Sequence, residues 1–196
     1  MSNHDHLVLR PLVDGEMSRF MGWLGGTHTM RYHAHDHTSG MGHVYQRRYN
    51  SFPIQDDDHF FVVCRYVERN ALRAGLVDRA EAWRWGSLWR WLPKPEPDSR
   101  LLSPWPIPRL PKWVQRVNEP LTQAELDAVR VCTQRGRPLG DEGDEDWVES
   151  IVRRLKLEST MRPRGRPRVR PLEGSPIKEY RGRDRPCGRP PAQIRT

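Results

Sequence analysis

Apolar and polar residues follow two different periods in the first half of the chain. Alternation and short apolar runs predict strands at Leu7–Leu9 and around His43–Pro53. Helices are expected near Gly15–Tyr32 and Asp58–Ala74, and in the second of them residues three, four and seven positions apart share one face. The pattern therefore predicts strand, helix, strand and helix in that order.

The predicted helix over Asp58–Ala74 carries the most chemistry. Acidic residues precede its first turn and Gly75 follows its last, as is typical of helix ends. A purely structural helix would fill its inner face with leucine or valine. This one places a phenol, an amide and a guanidinium on a single stripe, which consists of His59, Val63, Tyr66, Asn70 and Arg73.

Two histidines stand next to the first predicted strand. Residues two apart in a strand project from the same face, so His4 and His6 could offer two imidazoles to one metal ion. A polar chain end without a ligand role is the alternative, and the spacing alone leaves both open.

The second half of the chain predicts two shorter helices. Thr122 and Glu125 have the spacing of a capping box ahead of "AELDAVRVC". In "DWVESIVRRLKLE" the apolar residues share one helical face: Trp147, Val148, Ile151, Val152 and Leu155. Such a pair could be a small DNA-binding unit or a packing appendage, and the pattern does not separate them.

Charge is distributed unevenly over the 196 residues. The net charge is +8, and residues 160–196 hold eleven basic and three acidic side chains, so the rest of the chain is balanced. This proline-rich tail cannot bury enough apolar surface to fold alone. Its charge suits a polyanion, because basic groups displace counterions from phosphates; a solvated linker is the alternative.

Arginines within and before the tail have a finer pattern. Arg164-Gly165-Arg166-Pro167 resembles the core of the AT-hook, which lies in the minor groove of DNA, and a second Arg-Gly-Arg-Pro begins at Arg135. The candidate DNA-binding arginines are Arg73, Arg135, Arg137, Arg162, Arg164, Arg166 and Arg168.

Cysteine usage and hydropathy indicate the compartment. The three cysteines, Cys64, Cys132 and Cys187, lie far apart without paired spacing, which favours a reducing environment. The sequence has no apolar run long enough to cross a bilayer and no signal-peptide core. We therefore expect a cytoplasmic protein without a membrane partner.

Three motifs in this order carry a family resemblance: His4-Asp5-His6 before "LVL", "GHVYQRRYNSFPI" from Gly42, and "YVERNALRAGLV" from Tyr66. Together they resemble the HUH single-tyrosine transposases, in particular the REP-associated tyrosine transposases, which are insertion-sequence 200-like. The resemblance implies that Tyr66 is the nucleophile and that His4, His6 and Asn70 are the metal ligands.

The implied reaction is cleavage and rejoining of single-stranded, hairpin-bearing DNA through a 5′-phosphotyrosine intermediate. A free phenol has a pKa of about 10 and needs help near neutral pH. A divalent cation on the scissile phosphate supplies that help, and imidazole and amide ligands suit Mg²⁺ or Mn²⁺. Domains of this superfamily commonly pair, although some members act as monomers, which leaves a homodimer open.

The resemblance also implies a fold and a division of the chain. We expect an α+β fold, with a ferredoxin-like antiparallel sheet and helices on one face. Its first strand and helix would precede Met1, so the chain is predicted to be truncated and to cleave poorly. The expected domains are a catalytic domain (1–92), a Pro-rich linker (93–120), a two-helix appendage (121–159) and a disordered DNA-binding tail (160–196). A non-catalytic DNA-binding remnant is the alternative function.

Overall fold

The computed structural model describes residues 4–46, 48–55, 58–93, 101–140, 145–162 and 165. Helices connected by irregular segments make up this part of the chain. They are α1 (Glu16–His35), α2 (Asp58–Glu68), α3 (Asn70–Arg73), α4 (Ser87–Trp91), α5 (Trp113–Asn118), α6 (Gln123–Arg135), α7 (Glu145–Leu155) and α8 (Glu158–Met161), with a 3-10 turn at Ala80–Ala82.

The predicted ferredoxin-like antiparallel sheet is wrong for the described residues. Their β pairing consists of one isolated parallel bridge between Ile54 and Leu139, closed by two backbone hydrogen bonds of 2.9 Å. Residues 4–10 are irregular and lack a strand partner among the described residues. Phe52 and Ile54, at the end of the second predicted strand, pack against helices instead of a sheet face. A strand without paired neighbours is marginal in water, because its backbone groups stay unpaired.

The predicted helices lie close to where the pattern places them. The first runs over Glu16–His35, and the Glu16 carboxylate accepts the Leu12 amide at 2.6 Å just before it. The second is divided at Arg69 into α2 and α3. The amides of Arg69 and Arg73 still bond to carbonyls four residues back, both at 2.9 Å, so the two pieces follow one helical path.

Helix α2 is the centre of the hydrophobic core, because both of its sides are covered. One side contributes Phe60 and Cys64 to a cluster with Leu88, Trp113 and Val117. The other side contributes Val63 and Tyr66 to a cluster with Leu121, Val129, Cys132 and Leu139. Helices α4 and α5 thus cover one side of α2 and α6 covers the other.

Helix α6 begins and ends as its sequence predicts. The capping box is confirmed: Thr122 Oγ1 accepts the Glu125 amide at 3.2 Å, and the Glu125 carboxylate accepts the Thr122 amide at 2.6 Å. Gly136 ends the helix with φ of 70°. Beyond the bridge, a Cβ on Gly140 would lie 2.8 Å from two carbons of the Trp147 ring, so a larger residue there would displace that ring.

The described part of the segment expected as a linker packs against α2. Trp105, Ile107 and Leu110 contact the cluster around Phe60, and the Trp105 and Trp113 rings meet edge to face with centroids 5.0 Å apart. Residues up to Arg162 form one compact unit.

Candidate functional site

Helices α2 and α3 present three of the predicted site residues on one side. Tyr66 and Asn70 are one helical turn apart and both buried, while Arg73 follows at the exposed end of α3. The Arg73 guanidinium lies over the Tyr66 ring, with Cζ 4.4 Å from the ring centroid. The phenol of Tyr66, the amide of Asn70 and the guanidinium of Arg73 therefore lie next to each other on one side of the helix.

The two histidines lie against this surface. The His6 ring meets the Tyr66 ring edge to face, with centroids 5.5 Å apart. The His4 and His6 rings are 5.1 Å apart, and Asn70 Nδ2 donates to His4 Nε2 at 3.2 Å. The structure thus brings His4, His6, Tyr66, Asn70 and Arg73 together at one place, although His4 and Asn70 are 66 residues apart in sequence.

Burial affects the protonation of His6. Desolvation lowers the pKa of His6, the charges of His4 and Arg73 lower it further, and Asp5 opposes them. Its Nε2 is buried and finds no hydrogen-bond partner among the described residues. A neutral imidazole with an unpaired nitrogen is the form that binds a metal ion.

These side chains have the donor types of a divalent cation site, although the amide oxygen of Asn70 accepts a hydrogen bond from Arg73. Within the described ranges, no three His, Cys, Asp or Glu side chains are grouped closely enough to hold a metal. The candidate set has instead two imidazoles, from His4 and His6, and the buried Asn70 amide. Nitrogen and amide-oxygen donors that leave other positions to phosphate oxygens are suitable for Mn²⁺ or Mg²⁺.

Glu68 organises the opposite side of the helix and was missed by the sequence argument. It is only 7% exposed, and its carboxylate accepts Ser87 Oγ and Trp113 Nε1, both at 2.7 Å. Burial raises the pKa of Glu68, while those two hydrogen bonds and the Arg109 charge oppose the rise. A signal was available, because Phe60, Cys64 and Glu68 are spaced by four and Glu68 is an acid on an apolar stripe.

Two arginines of α2 and the turn after it bind main-chain carbonyls and were also missed. Arg65 Nε donates to the Arg116 carbonyl at 3.1 Å, and its amino groups lie 3.4 Å from the Glu119 and Pro120 carbonyls and from Glu125. Arg69 donates to the Asn118 carbonyl at 2.5 Å. They fasten the helix that carries Tyr66 to the segment between α5 and α6.

The candidate DNA-binding arginines have different surroundings. Arg135 donates to the Arg162 carbonyl, and Arg137 donates to the carbonyls of Thr160 and Met161 at 2.9 and 2.6 Å. The first Arg-Gly-Arg-Pro therefore holds the end of the compact unit. The side chain of Arg162 is exposed. Arg164, Arg166 and Arg168 lie outside the described residues.

Exposed aromatic groups offer a further surface. Trp85 is 68% exposed, with the Arg84 guanidinium 4.6 Å from its ring centroid. Trp91 is half-buried and covered by Arg109 at 4.3 Å. Trp85 is thus the better placed of the two for stacking on a base.

Across the ranges that the structure covers, every helix is too short or too polar to cross a membrane.

The amino-terminal part of the chain is similar to one family of known proteins. The family model described as "Transposase IS200 like" matches residues 1–70, a stretch that includes His4, His6, Tyr66 and Asn70. A search of curated proteins found no match, and neither did a search of solved structures.

Proposed function

Because residues 1–70 belong to the IS200-like transposases, we propose that this transposase cleaves and rejoins single-stranded, hairpin-bearing DNA with Tyr66 as the nucleophile. One observation carries the proposal: His4, His6, Tyr66, Asn70 and Arg73 lie together at one place. A structural tyrosine needs neither an imidazole nor a guanidinium against its ring. The family assignment itself supports DNA binding and DNA recombination.

The proposed reaction replaces one phosphate ester bond with another, so the energy of the broken bond is conserved in the new one. The Tyr66 hydroxyl gives its proton to solvent water, and its oxygen attacks the scissile phosphorus. The bond from phosphorus to the 3′ oxygen breaks, and that oxygen leaves as a hydroxyl after taking up a proton. The 5′ phosphate stays esterified to Tyr66, and attack by another 3′ hydroxyl reverses the step, so strands are exchanged without ATP.

A divalent cation, Mg²⁺ or Mn²⁺, belongs to this proposal. His4, His6 and Asn70 would hold it, and when bound it would neutralise charge on the scissile phosphate. Two protein groups adjoin the nucleophile: the His6 ring packs edge to face against the Tyr66 ring, and Arg73 supplies a guanidinium that can bind a phosphate. The basic residues after Pro163 would add sequence-independent attraction to the DNA backbone.

A covalent-adduct assay tests the proposal. The 196-residue chain, labelled single-stranded hairpin DNA and Mn²⁺ should give a protein–DNA adduct on a denaturing gel. Tyr66→Phe removes only the hydroxyl, so it should still bind DNA but form no adduct. Tyr49→Phe makes the same change at an exposed tyrosine and should leave the adduct yield unchanged. A full-strength adduct from Tyr66→Phe would disprove the role of Tyr66.

One observation favours the second candidate, a non-catalytic DNA-binding remnant of such a transposase. The segment that carries His4 and His6 has no strand neighbour among the described residues. Preorganised sites need ligands held within about 0.5 Å, which an unpaired segment provides poorly. Hairpin binding by the unmodified chain without any adduct, in either Mn²⁺ or Mg²⁺, would support this candidate over the first.

A further inference from the structure

The Asn70 carboxamide is buried and both of its ends are occupied. Its Oδ1 accepts a hydrogen bond of 2.6 Å from Arg73, and its Nδ2 donates to His4 Nε2 at 3.2 Å. Because a guanidinium can only donate, the amide oxygen must face Arg73 and the amide nitrogen must face His4. Arg73 therefore determines the orientation of the amide.

This orientation is the wrong one for a metal ligand. An amide binds a cation through its oxygen, which here faces Arg73, while Nδ2 lies against the His4 nitrogen. Ligation requires a half-turn of the carboxamide, which exchanges the oxygen and the nitrogen. After that half-turn, Nδ2 would face the guanidinium, and two donors cannot bond to each other. Arg73 would lose its acceptor.

A released Arg73 is already close to the reacting group. Its Cζ lies 4.4 Å from the Tyr66 ring centroid, and the residue is exposed to solvent. A phosphate attacked by the Tyr66 hydroxyl must come to the same neighbourhood. Guanidinium groups bind phosphate oxygens in pairs, which makes a phosphate the natural replacement for the amide oxygen.

We propose that Asn70 and Arg73 form a latch that couples cation binding to phosphate binding. In the closed latch, Arg73 holds the amide oxygen and hinders the cation. In the open latch, the amide oxygen ligates the cation and Arg73 is free to bind the DNA phosphate next to Tyr66. This inference rests on the proposed function and deepens it, since it assigns an order of events to the same site.

Titration of the full chain with Mn²⁺ alone tests the latch, with free Mn²⁺ followed by electron paramagnetic resonance. Arg73→Met keeps an unbranched, uncharged stem and removes the guanidinium with its donors. We expect it to bind Mn²⁺ about tenfold more tightly than the unmodified chain, because a charge-assisted hydrogen bond no longer competes. Arg73 is exposed, so this change leaves the core intact, which thermal melting would verify.

Two further variants separate the latch from a simple charge effect. Arg69→Gln removes the same charge nearby, but Arg69 donates to the Asn118 carbonyl and not to Asn70. It should change Mn²⁺ affinity much less, and high salt should abolish the change it causes. Asn70→Asp supplies two acceptor oxygens, so the cation and Arg73 no longer compete. In that background, Arg73→Met should give little or no gain.

The outcomes distinguish this inference from the proposed function. Unchanged or weaker Mn²⁺ binding by Arg73→Met, or an equal gain from Arg69→Gln, would overturn the latch even if the Tyr66 adduct forms. Mn²⁺ binding that His6→Ala leaves intact would overturn both the metal site and the latch. Coupling must be reciprocal, so in the Tyr66→Phe chain Mn²⁺ should strengthen hairpin binding more when Arg73 is present. Equal strengthening with and without Arg73 would also count against it.

Discussion

Helices α1 and α2 both lie within the segment that matches the transposase family, but they differ in how they are held. Helix α1 has no buried residue, and its Trp23 and Met30 are 64% and 68% exposed. Helix α2 has five buried residues among eleven. The difference follows from sequence, because the apolar residues of α1 are spread around the helix and three glycines interrupt it, whereas those of α2 form defined stripes.

The two helices show that the segment matched by the family model and the residues that bury α2 are largely different parts of the chain. Most of the buried residues that cover α2 lie between Ala80 and Leu139, beyond the matched segment, while Phe52 and Ile54 within that segment add to the same packing. Much of the packing around Tyr66 is therefore supplied by sequence outside the family match, whereas His4 and His6, which adjoin Asn70 and Tyr66, lie inside it. Disturbing that support should affect the protein far more than disturbing α1.

Replacing a tryptophan by alanine in each region should give the largest difference in the free energy of unfolding. Trp113 is 4% exposed and donates to Glu68, so Trp113→Ala should lower the free energy of unfolding by about 3–5 kcal/mol. Trp23→Ala on α1 should change it by less than about 0.5 kcal/mol. Chemical denaturation of both variants measures this. Equal losses would show that α1 is supported as firmly as α2.

Arginine replacements should give a smaller contrast. Arg65→Met removes a guanidinium that binds the carbonyls of Arg116, Glu119 and Pro120, and should cost about 1–3 kcal/mol of unfolding free energy. Arg31→Met, at an exposed position of α1, should be close to neutral. Equal shifts of the denaturant midpoint in the two variants would contradict the statement that α2 is held more firmly than α1.

The pH dependence of stability should give the smallest effect. Because burial raises the pKa of Glu68 above the ordinary value of 4.5, the folded state retains its proton to higher pH than the unfolded state. The contribution of Glu68 to stability is therefore fully present below pH 4.5 and is lost as pH rises through the folded-state pKa.

Glu68→Gln removes this titration and keeps the shape of the side chain. The unfolding free energy of the unmodified chain should fall relative to that of Glu68→Gln as pH rises above 4.5. Parallel pH profiles for the unmodified chain and Glu68→Gln would contradict the assignment.

Local signals predicted the helices well, and nonlocal pairing was predicted poorly. The Thr122–Glu125 capping box and the Tyr66–Asn70–Arg73 stripe depend on residues within one or two turns, so the sequence suffices to place them. Sheet formation depends on partners elsewhere, and the apolar Phe52 and Ile54 packed against helices instead. A strand-like pattern predicts that one face of the segment is buried, but it does not indicate which element covers that face.

The candidate site was predictable in its members and not in its contacts. Motif resemblance placed His4, His6, Tyr66 and Asn70 in one site, and their roles stay predictions. The orientation of the Asn70 amide, set by Arg73, depends on hydrogen-bond geometry that no spacing encodes. The carbonyl partners of Arg137 were equally hidden, because main-chain acceptors leave no mark in the sequence.

The bridge between Ile54 and Leu139 has a consequence for protein synthesis. The ribosome completes Tyr66 well before it adds Val129, Cys132 and Leu139, which cover the helix that carries the tyrosine. At usual translation speeds, the intervening residues take roughly 4–15 s to make. During that interval the nascent chain contains Tyr66 but not the residues that cover it. The surroundings of Tyr66 are thus completed only after residue 139 has been added.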